Sequence, residues 1–357
     1  MNSCSFRFDR AVAEIDTDAL AHNFLTVSSG GGRTIAVVKA NAYGHGISLV
    51  VPTLLRAGCD FFAVANLAEA IAVRALAPRA DILILGYTPV SDAPLLVRER
   101  LTQAVFSAPY AAALSSAAQA PVSVHIKIDG GMCRLGITPQ DRDALSFILR
   151  AENLAVRGLF THLPSVLSNP TETGAFLVDF LALRHSLPHL FAHAAATPAL
   201  SLADARLDGV RVGLALYGYA PQDALPLRHV MRVLAPIVQI HTVNEGTPVG
   251  YDGAFLTSRP SRIGTLPVGY ADGLSRRDEG EHVLVYCQNA SYFAPVIGHI
   301  CMDHCMIDLT DVPAAEGDSV CVFSDFFAVA ERRGTIVYEA LASLSARVIR
   351  QRKGVFL

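Results

Sequence analysis

Long apolar runs are absent from this sequence. Nowhere do about 18 apolar residues follow one another, the length a membrane-spanning helix needs, and the first ten residues carry no apolar stretch after their charges. Neither membrane insertion nor export is expected, and a cytoplasmic location is the simplest reading. An excess of one charge sign is missing as well. Lys and Arg are interspersed with Asp and Glu to a net charge of −3. There is no basic stripe, RNA-binding signature or zinc-finger spacing, which argues against nucleic acid as a partner. Cysteine is sparse and unpatterned: seven residues, scattered from Cys4 to Cys321, read as free thiols and not as a disulfide framework. His299, Cys301, His304 and Cys305 do crowd one segment. The alternation of Ile300 and Met302 with Cys301 and Asp303 reads as a strand, which sends those side chains to opposite faces, so no metal site is expected.

What is present is apolar substance: 52% hydrophobic and 17% charged residues over 357 positions, long enough for two domains, each with its own core. Short apolar runs alternate with helical patterns. They are Thr34 to Val38, Phe61 to Val64, Ile82 to Leu85, Gln103 to Phe106, Val122 to Ile128, Val156 to Phe160, Leu190 to His193 and Gly209 to Val212. Eight strands separated by helices predict an α/β fold, an N-terminal (β/α)8 TIM-like barrel over residues 10–232. Near Val233 the pattern changes to Ile237–Val243, Arg262–Val268, His282–Cys287, Cys305–Leu309 and Val320–Phe323, separated by turn residues, with one helical pattern at Ile336–Ala346. Residues 233–357, with 1–9, are therefore expected to form a mainly β C-terminal domain.

Barrel enzymes build their sites at the C-terminal ends of the strands. Lys39 ends the first strand and precedes a glycine-spaced loop, Asn41-Ala42-Tyr43-Gly44-His45-Gly46. An ammonium there loses hydration, its pKa falls, and a neutral amine becomes available for a Schiff base with an aldehyde cofactor. The bland alternative is a lysine that snorkels from a strand end. His125, Lys127 and Asp129 alternate along the fifth strand, with Arg134 in the loop after it; Thr161 and His162 end the sixth, Thr197 follows the seventh, and Arg211 lies in the eighth, before Gly213. Taken singly, Lys127 and Arg134 read as exposed charges, and His162 as a hydrogen-bonded core histidine. Arg211, between Val210 and Val212, needs acceptors for its donors.

Val37–Gly46, Lys127-Ile-Asp-Gly-Gly-Met-Cys-Arg-Leu-Gly136, Phe160-Thr-His-Leu163, Val210-Arg-Val-Gly213, Pro267-Val-Gly-Tyr-Ala-Asp-Gly273 and Ile300-Cys-Met-Asp303 together resemble the motifs of alanine racemases, in the same order and over nearly the whole chain. The resemblance implies that Lys39 carries pyridoxal phosphate and acts as the base on one face of the substrate α-carbon. It implies that Tyr270, reaching in from the partner of a head-to-tail homodimer with shared sites, is the acid/base on the other. Arg211 would face the pyridine nitrogen and, as a permanent donor, keep it unprotonated, weakening the ring as an electron sink and favouring racemisation. His162 would link Arg211 to Tyr270. Arg134 would hold the substrate carboxylate, oriented by Lys127 as a carbamylated anion, since two unmodified cations so close would repel. Tyr43, Thr197 and the amides of Gly213 and Leu214 would hold the phosphate, and the Met302 amide would touch the substrate carboxylate.

The implied activity is interconversion of L-alanine and D-alanine for peptidoglycan supply. A racemase for serine or several amino acids stays open, as does a non-catalytic pyridoxal phosphate binder. Four positions depart from the family pattern. Ala196 stands for a usual asparagine and Ala346 for a tyrosine on the phosphate, while His299 replaces an arginine and Leu167 a frequent acidic residue along the access corridor. Altered cofactor affinity and altered substrate access are expected from them.

Overall fold

The structure, a computed structural model, describes residues 9–221 and 225–353. They divide into two compact units, one of Asp18–Ala42 and Val50–Arg228, the other of the residues up to Thr17, Tyr43–Leu49 and those from His229 on.

The first unit is a closed barrel of eight parallel strands: Arg33–Val37, Phe61–Val64, Asp81–Ile84, Thr102–Val105, Val122–Lys127, Leu154–Phe160, Phe191–Ala196 and Gly209–Val212. Closure comes from the last strand pairing with the first, Arg33 opposite Gly209 and Ala36 opposite Val212. These strands read as continuous apolar runs because a parallel barrel buries both faces; Phe61–Val64 and Gly209–Val212 are buried at every residue. Helices return the chain between strands, and several begin with a side-chain cap: Asn66 accepts from the Glu69 N–H, Ser107 from Tyr110 and Asn169 from Glu172. In the barrel wall a Cβ on Gly209 would lie 2.7 Å from the Phe191 ring and 2.9 Å from the Arg33 carbonyl.

The second unit holds a nine-stranded sheet in the order Gln239–Val243, Ser261–Leu266, Cys305–Asp308, Ala290–Ile297, His282–Cys287, Ser319–Phe323, Met231–Pro236, Val12–Ile15, Ile349–Arg352. Pairing is antiparallel except at the last step. The mainly β character expected for the C-terminal part holds, with four strands of this sheet that the sequence pattern did not mark. Ala290–Ile297 contains Pro295, which usually argues against a strand. It forms a hairpin with His282–Cys287 through Gln288 and Asn289, both at positive φ, as a two-residue turn requires. Val12–Ile15 and Ile349–Arg352 are short and pair only with each other and with Met231–Pro236, contacts remote in sequence. A boundary at 232/233 therefore falls inside a strand, and the compact units divide at Arg228/His229 instead. The stretch 300–303, read as a strand, lies in irregular turn: Cys301 donates its N–H to the His304 carbonyl, closing a bend before the strand at Cys305. A helix at Phe326–Arg333 precedes the expected one, which spans Val337–Ala342.

Gly44 belongs to this unit, has φ +78°, and a Cβ there would lie 2.4 Å from the Leu341 carbonyl oxygen. Gly31 has φ +84° with no atom within 4 Å of the same position. Gly31→Ala should cost about 1–2 kcal/mol of unfolding free energy, the left-handed backbone alone. Gly44→Ala adds overpacking and should cost roughly 3 kcal/mol or more. Urea unfolding of both variants checks the order, and equal losses would contradict it.

Candidate active site

Lys39 follows the first barrel strand at the head of an unusual turn. Ala40, Asn41, Ala42 and Tyr43 all have φ between 52° and 57°, where each non-glycine residue costs roughly 1–2 kcal/mol. Glu69 offsets this strain. Its carboxylate accepts the Ala40 N–H at 2.8 Å through one oxygen and the Ala65 N–H at 2.8 Å through the other. The Ala42 N–H returns to the Val38 carbonyl at 2.9 Å. The lysine is half-buried, and its pKa is lowered by burial first and by Arg134 second, against a smaller opposing pull from Glu69. Glu69 lies outside every motif that sequence reasoning used; its only signal was a carboxylate in the first turn of a helix.

The mouth of this barrel is crowded with cations. Lys127, at the end of the fifth strand, is buried with its Nζ 4.9 Å from the centre of the Phe160 ring. Burial, then Arg211 and Arg134, hold its pKa well below the ordinary lysine value. The loop beyond it is shaped by Asp129, which accepts the N–H groups of Met132 and Cys133 at 3.1 and 3.0 Å. Tight backbone contacts finish the shaping: a Cβ on Gly130 would lie 2.0 Å from the His162 carbonyl, and one on Gly136 2.4 Å from the Asp129 nitrogen. The loop presents Arg134 to solvent. His162, half-buried, is pushed down to about 3 by burial first and then by Arg211, Lys127, Arg134 and Lys39. It is neutral at physiological pH.

Arg211 is buried without a carboxylate partner. Its Nη1 donates to His193 Nδ1 at 2.7 Å and to the His193 carbonyl at 3.0 Å; its Nη2 donates to the carbonyls of Thr161 at 2.5 Å and Ala194 at 3.0 Å. Burial lowers its pKa to about 9, still protonated near neutrality. A guanidinium has five N–H donors, and four are spent. The Nε–H makes no hydrogen bond among the described residues. Because the arginine can only donate, His193 Nδ1 accepts, so the His193 proton sits on Nε2 and is donated to His125 Nδ1 at 2.9 Å. Both rings are neutral: burial and then Arg211 push His125 down to about 3 and His193 well below its usual value. His193 also stacks on Phe160 at 4.9 Å and 5°. The expected bond from His162 to Arg211 is not formed. The arginine's partners are instead His193 and three carbonyls, a set that its need for acceptors foreshadowed and the sequence did not name.

Thr197 opens a short 3-10 turn after the seventh strand, and its Oγ1 accepts the Ala215 N–H at 3.3 Å, leaving its own hydrogen to donate. Gly213 caps a second such turn, Leu214–Tyr217, at the end of the eighth strand. Turn starts leave N–H groups without helical partners, a setting suited to an anion. In the β unit, Tyr43 is buried with its ring 6.0 Å from that of Tyr338, and burial followed by Tyr338 raises its pKa. Tyr270 and Met302 sit on adjacent turns of the same unit, 46% and 53% exposed.

Fold and site define a barrel enzyme organised around a desolvated amine and a buried cation with one spare donor, in a mouth whose basic side chains outnumber the carboxylates near them. Residues 15–221 match the family model for the alanine racemase N-terminal domain, and residues 230–352 that for the alanine racemase C-terminal domain. An alanine racemase of Desulfovibrio desulfuricans is 39% identical over 368 residues, covering 96% of this chain and 98% of the relative. The solved structure of the biosynthetic alanine racemase of Pseudomonas aeruginosa superposes with a TM-score of 0.85 at 33% identity, covering 97% of this chain and 100% of that one. The structure of the Bartonella henselae alanine racemase with covalently bound pyridoxal phosphate superposes at 0.83 and 29% identity, over 97% and 100%. This chain belongs to the alanine racemase family.

Neutral buried histidines tie stability to pH. The folded value of His125, about 3, lies below its unfolded value of 6.5. As pH falls below 6.5 the unfolded chain takes up a proton that the folded chain refuses, so stability is full above that pH and declines beneath it. His125→Gln, which can still accept from His193, should flatten the dependence between pH 6.5 and 5 by up to ~1.4 kcal/mol per pH unit. Urea unfolding across that window measures it, and an unchanged slope would contradict a neutral His125.

Proposed function

We propose that this chain is an isomerase that interconverts L-alanine and D-alanine with pyridoxal phosphate as cofactor, in supply of D-alanine for peptidoglycan. The observation that carries the reading is the spare Nε–H of Arg211 amid an uncharged set of acceptors. A carboxylate partner would neutralise the arginine; carbonyls and a neutral imidazole leave it a cation with one donor to give, which suits the unprotonated nitrogen of a pyridine ring. The cationic mouth formed by Lys39, Lys127, Arg134 and Arg211 suits a phosphate ester and an amino acid carboxylate. When bound, the cofactor supplies an aldehyde carbon for amines and a conjugated ring that takes up the electron pair left at the substrate α-carbon.

Each role then falls to a residue of this chain. Lys39, its amine desolvated, holds the cofactor and takes or returns a proton at Nζ on one face of the α-carbon. Tyr270 of a second copy does the same at its hydroxyl on the opposite face, in a head-to-tail homodimer. The high exposure of Tyr270 and Met302 in the single chain supports this sharing. Arg211, protonated near neutrality, would donate to the ring nitrogen and so leave that nitrogen unprotonated. An arginine there would weaken the ring as an electron sink and so favour return of the proton to the α-carbon over other fates. His162 is neutral and lines the same mouth. Tyr43, Thr197 and the amides of Gly213 and Leu214 hold the phosphate. Arg134 and the Met302 amide hold the substrate carboxylate. Lys127, buried beside two arginines with a depressed pKa, is a neutral amine suited to carbamylation by carbon dioxide, which would form an N–C bond, release a proton and leave an anion that orients Arg134.

A preference for serine or several small amino acids is the second reading, favoured by Leu167, 56% exposed, and by His299, whose Nδ1 lies 3.0 Å from Glu279 Oε2 and 2.7 Å from an Arg276 nitrogen. Incubation of the cofactor-loaded protein with L-alanine and, in parallel, L-serine, followed by chiral analysis, decides between them. D-alanine should form with the parent and not with Lys39→Ala, and faster D-serine formation would establish the second reading. Specific activity should fall on dilution as dimers separate; constant activity in a demonstrated monomer would remove Tyr270 from the shared-site role.

A further inference from the structure

Tyr270 and Met302 lie on two turns that are locked into one block, and the lock is electrostatic as well as steric. Gly269 packs so closely that a Cβ there would meet the Cys301 carbonyl at 2.3 Å and the Met302 carbonyl at 2.4 Å. The Tyr270 and Ala271 N–H groups donate to the carbonyls of Cys301 and Met302, both at 3.0 Å. At the base of the block sits Asp272, 2% exposed. One of its carboxylate oxygens accepts the Gly269 N–H at 3.0 Å, closing the tyrosine turn on itself, and its carbonyl accepts the Ser345 N–H at 3.1 Å.

Two arginines from distant parts of the chain bridge this carboxylate to that of Asp303, next to Met302. Arg10 lies 3.1 Å from Asp272 and 3.7 Å from Asp303. Arg347 lies 3.4 Å from Asp272 and 2.6 Å from Asp303. Each turn thus contributes one carboxylate and both arginines contact both turns. The Tyr270 side chain itself is 46% exposed and its hydroxyl makes no hydrogen bond among the described residues, so the aim of the phenol is set by its backbone turn and by what anchors that turn.

We propose that Asp272, Asp303, Arg10 and Arg347 are positioning residues: the four-charge bridge fixes the tyrosine turn against the methionine turn, so that the phenol and the Met302 amide are presented as one unit. The inference rests on the reading of Tyr270 as the acid/base of one face. Arg347 is the gentler test, since its side chain is 40% exposed, whereas losing the Asp272 charge leaves both arginines with Asp303 alone and weakens the acceptor of the Gly269 N–H. Misplacement of a catalytic group by about 1 Å can cost up to roughly a hundredfold, and here it falls on one face only.

The experiment follows exchange of the α-hydrogen of L-alanine and of D-alanine with deuterium from solvent, by NMR, in Arg347→Met, Arg347→Lys, Asp272→Asn and the reference variant Tyr270→Phe, each cofactor-loaded. Cofactor absorbance per chain and the unfolding midpoint are recorded alongside. Tyr270→Phe should abolish exchange of one enantiomer and spare the other. Arg347→Met should slow that same enantiomer roughly tenfold or more with cofactor content unchanged, Asp272→Asn should do so more severely, and Arg347→Lys should recover part of the rate. A parallel fall for both enantiomers with loss of cofactor would show a general structural role and overturn the proposal. So would unchanged exchange in Arg347→Met and Asp272→Asn while Tyr270→Phe is selectively impaired. Unchanged exchange in Tyr270→Phe would remove the acid/base reading, and the inference with it.

Discussion

A guanidinium buried among uncharged acceptors is the constraint on which the barrel mouth depends. Removing Arg211 from water without a carboxylate is expensive, and the structure meets the cost with three carbonyls and one imidazole nitrogen. That choice propagates. It fixes the proton of His193 on Nε2, fixes His125 as the next acceptor, and keeps both rings neutral. Burial first and the nearby guanidinium second lower the pKa of Lys127 and His162, so its neighbours are pushed toward their neutral forms. An uncompensated positive field is what a site for two anionic groups, phosphate and carboxylate, requires.

Rigidity is built differently in the two units. In the barrel, a left-handed run follows Lys39 and one carboxylate, Glu69, braces its first N–H. Strain of this kind persists only where its surroundings over-determine it. In the β unit, the turns bearing Tyr270 and Met302 are held by close glycine packing and a bridge of two acids and two arginines. Both devices hold backbone, so that an exposed or half-buried side chain is aimed without being itself engaged.

Strands and motifs were legible to different degrees. All eight barrel strands were readable because parallel pairing buries both faces and writes itself as apolar runs between capped helices. Ala290–Ile297 was not, since Pro295 and an exposed first half disguise it, and Val12–Ile15 was not, since four residues carry no pattern of their own. The stretch 300–303 alternates like a strand and is a turn, because the Cys301 and Met302 carbonyls accept from Tyr270 and Ala271 while the Cys301 N–H donates to the His304 carbonyl and the Ile300 N–H to Glu279, in place of a neighbouring strand. Among the candidate site residues, Lys39, Lys127, His162 and Arg211 were found in or just after barrel strands and Arg134 in the loop beyond one, where the barrel rule looks for them. Glu69 was not found, and His125 was named without its partner His193, because these roles consist of partners brought from other elements.

The sequence by itself determined the family, the barrel, and the residue types that carry the chemistry, because these are written as local periodicity and contiguous motifs. Tertiary structure alone decided which groups are neutral, which nitrogen of each histidine bears its proton, and what holds the two turns of the β unit together. Those properties follow from burial and from distances between side chains far apart in the chain, and no local pattern encodes them.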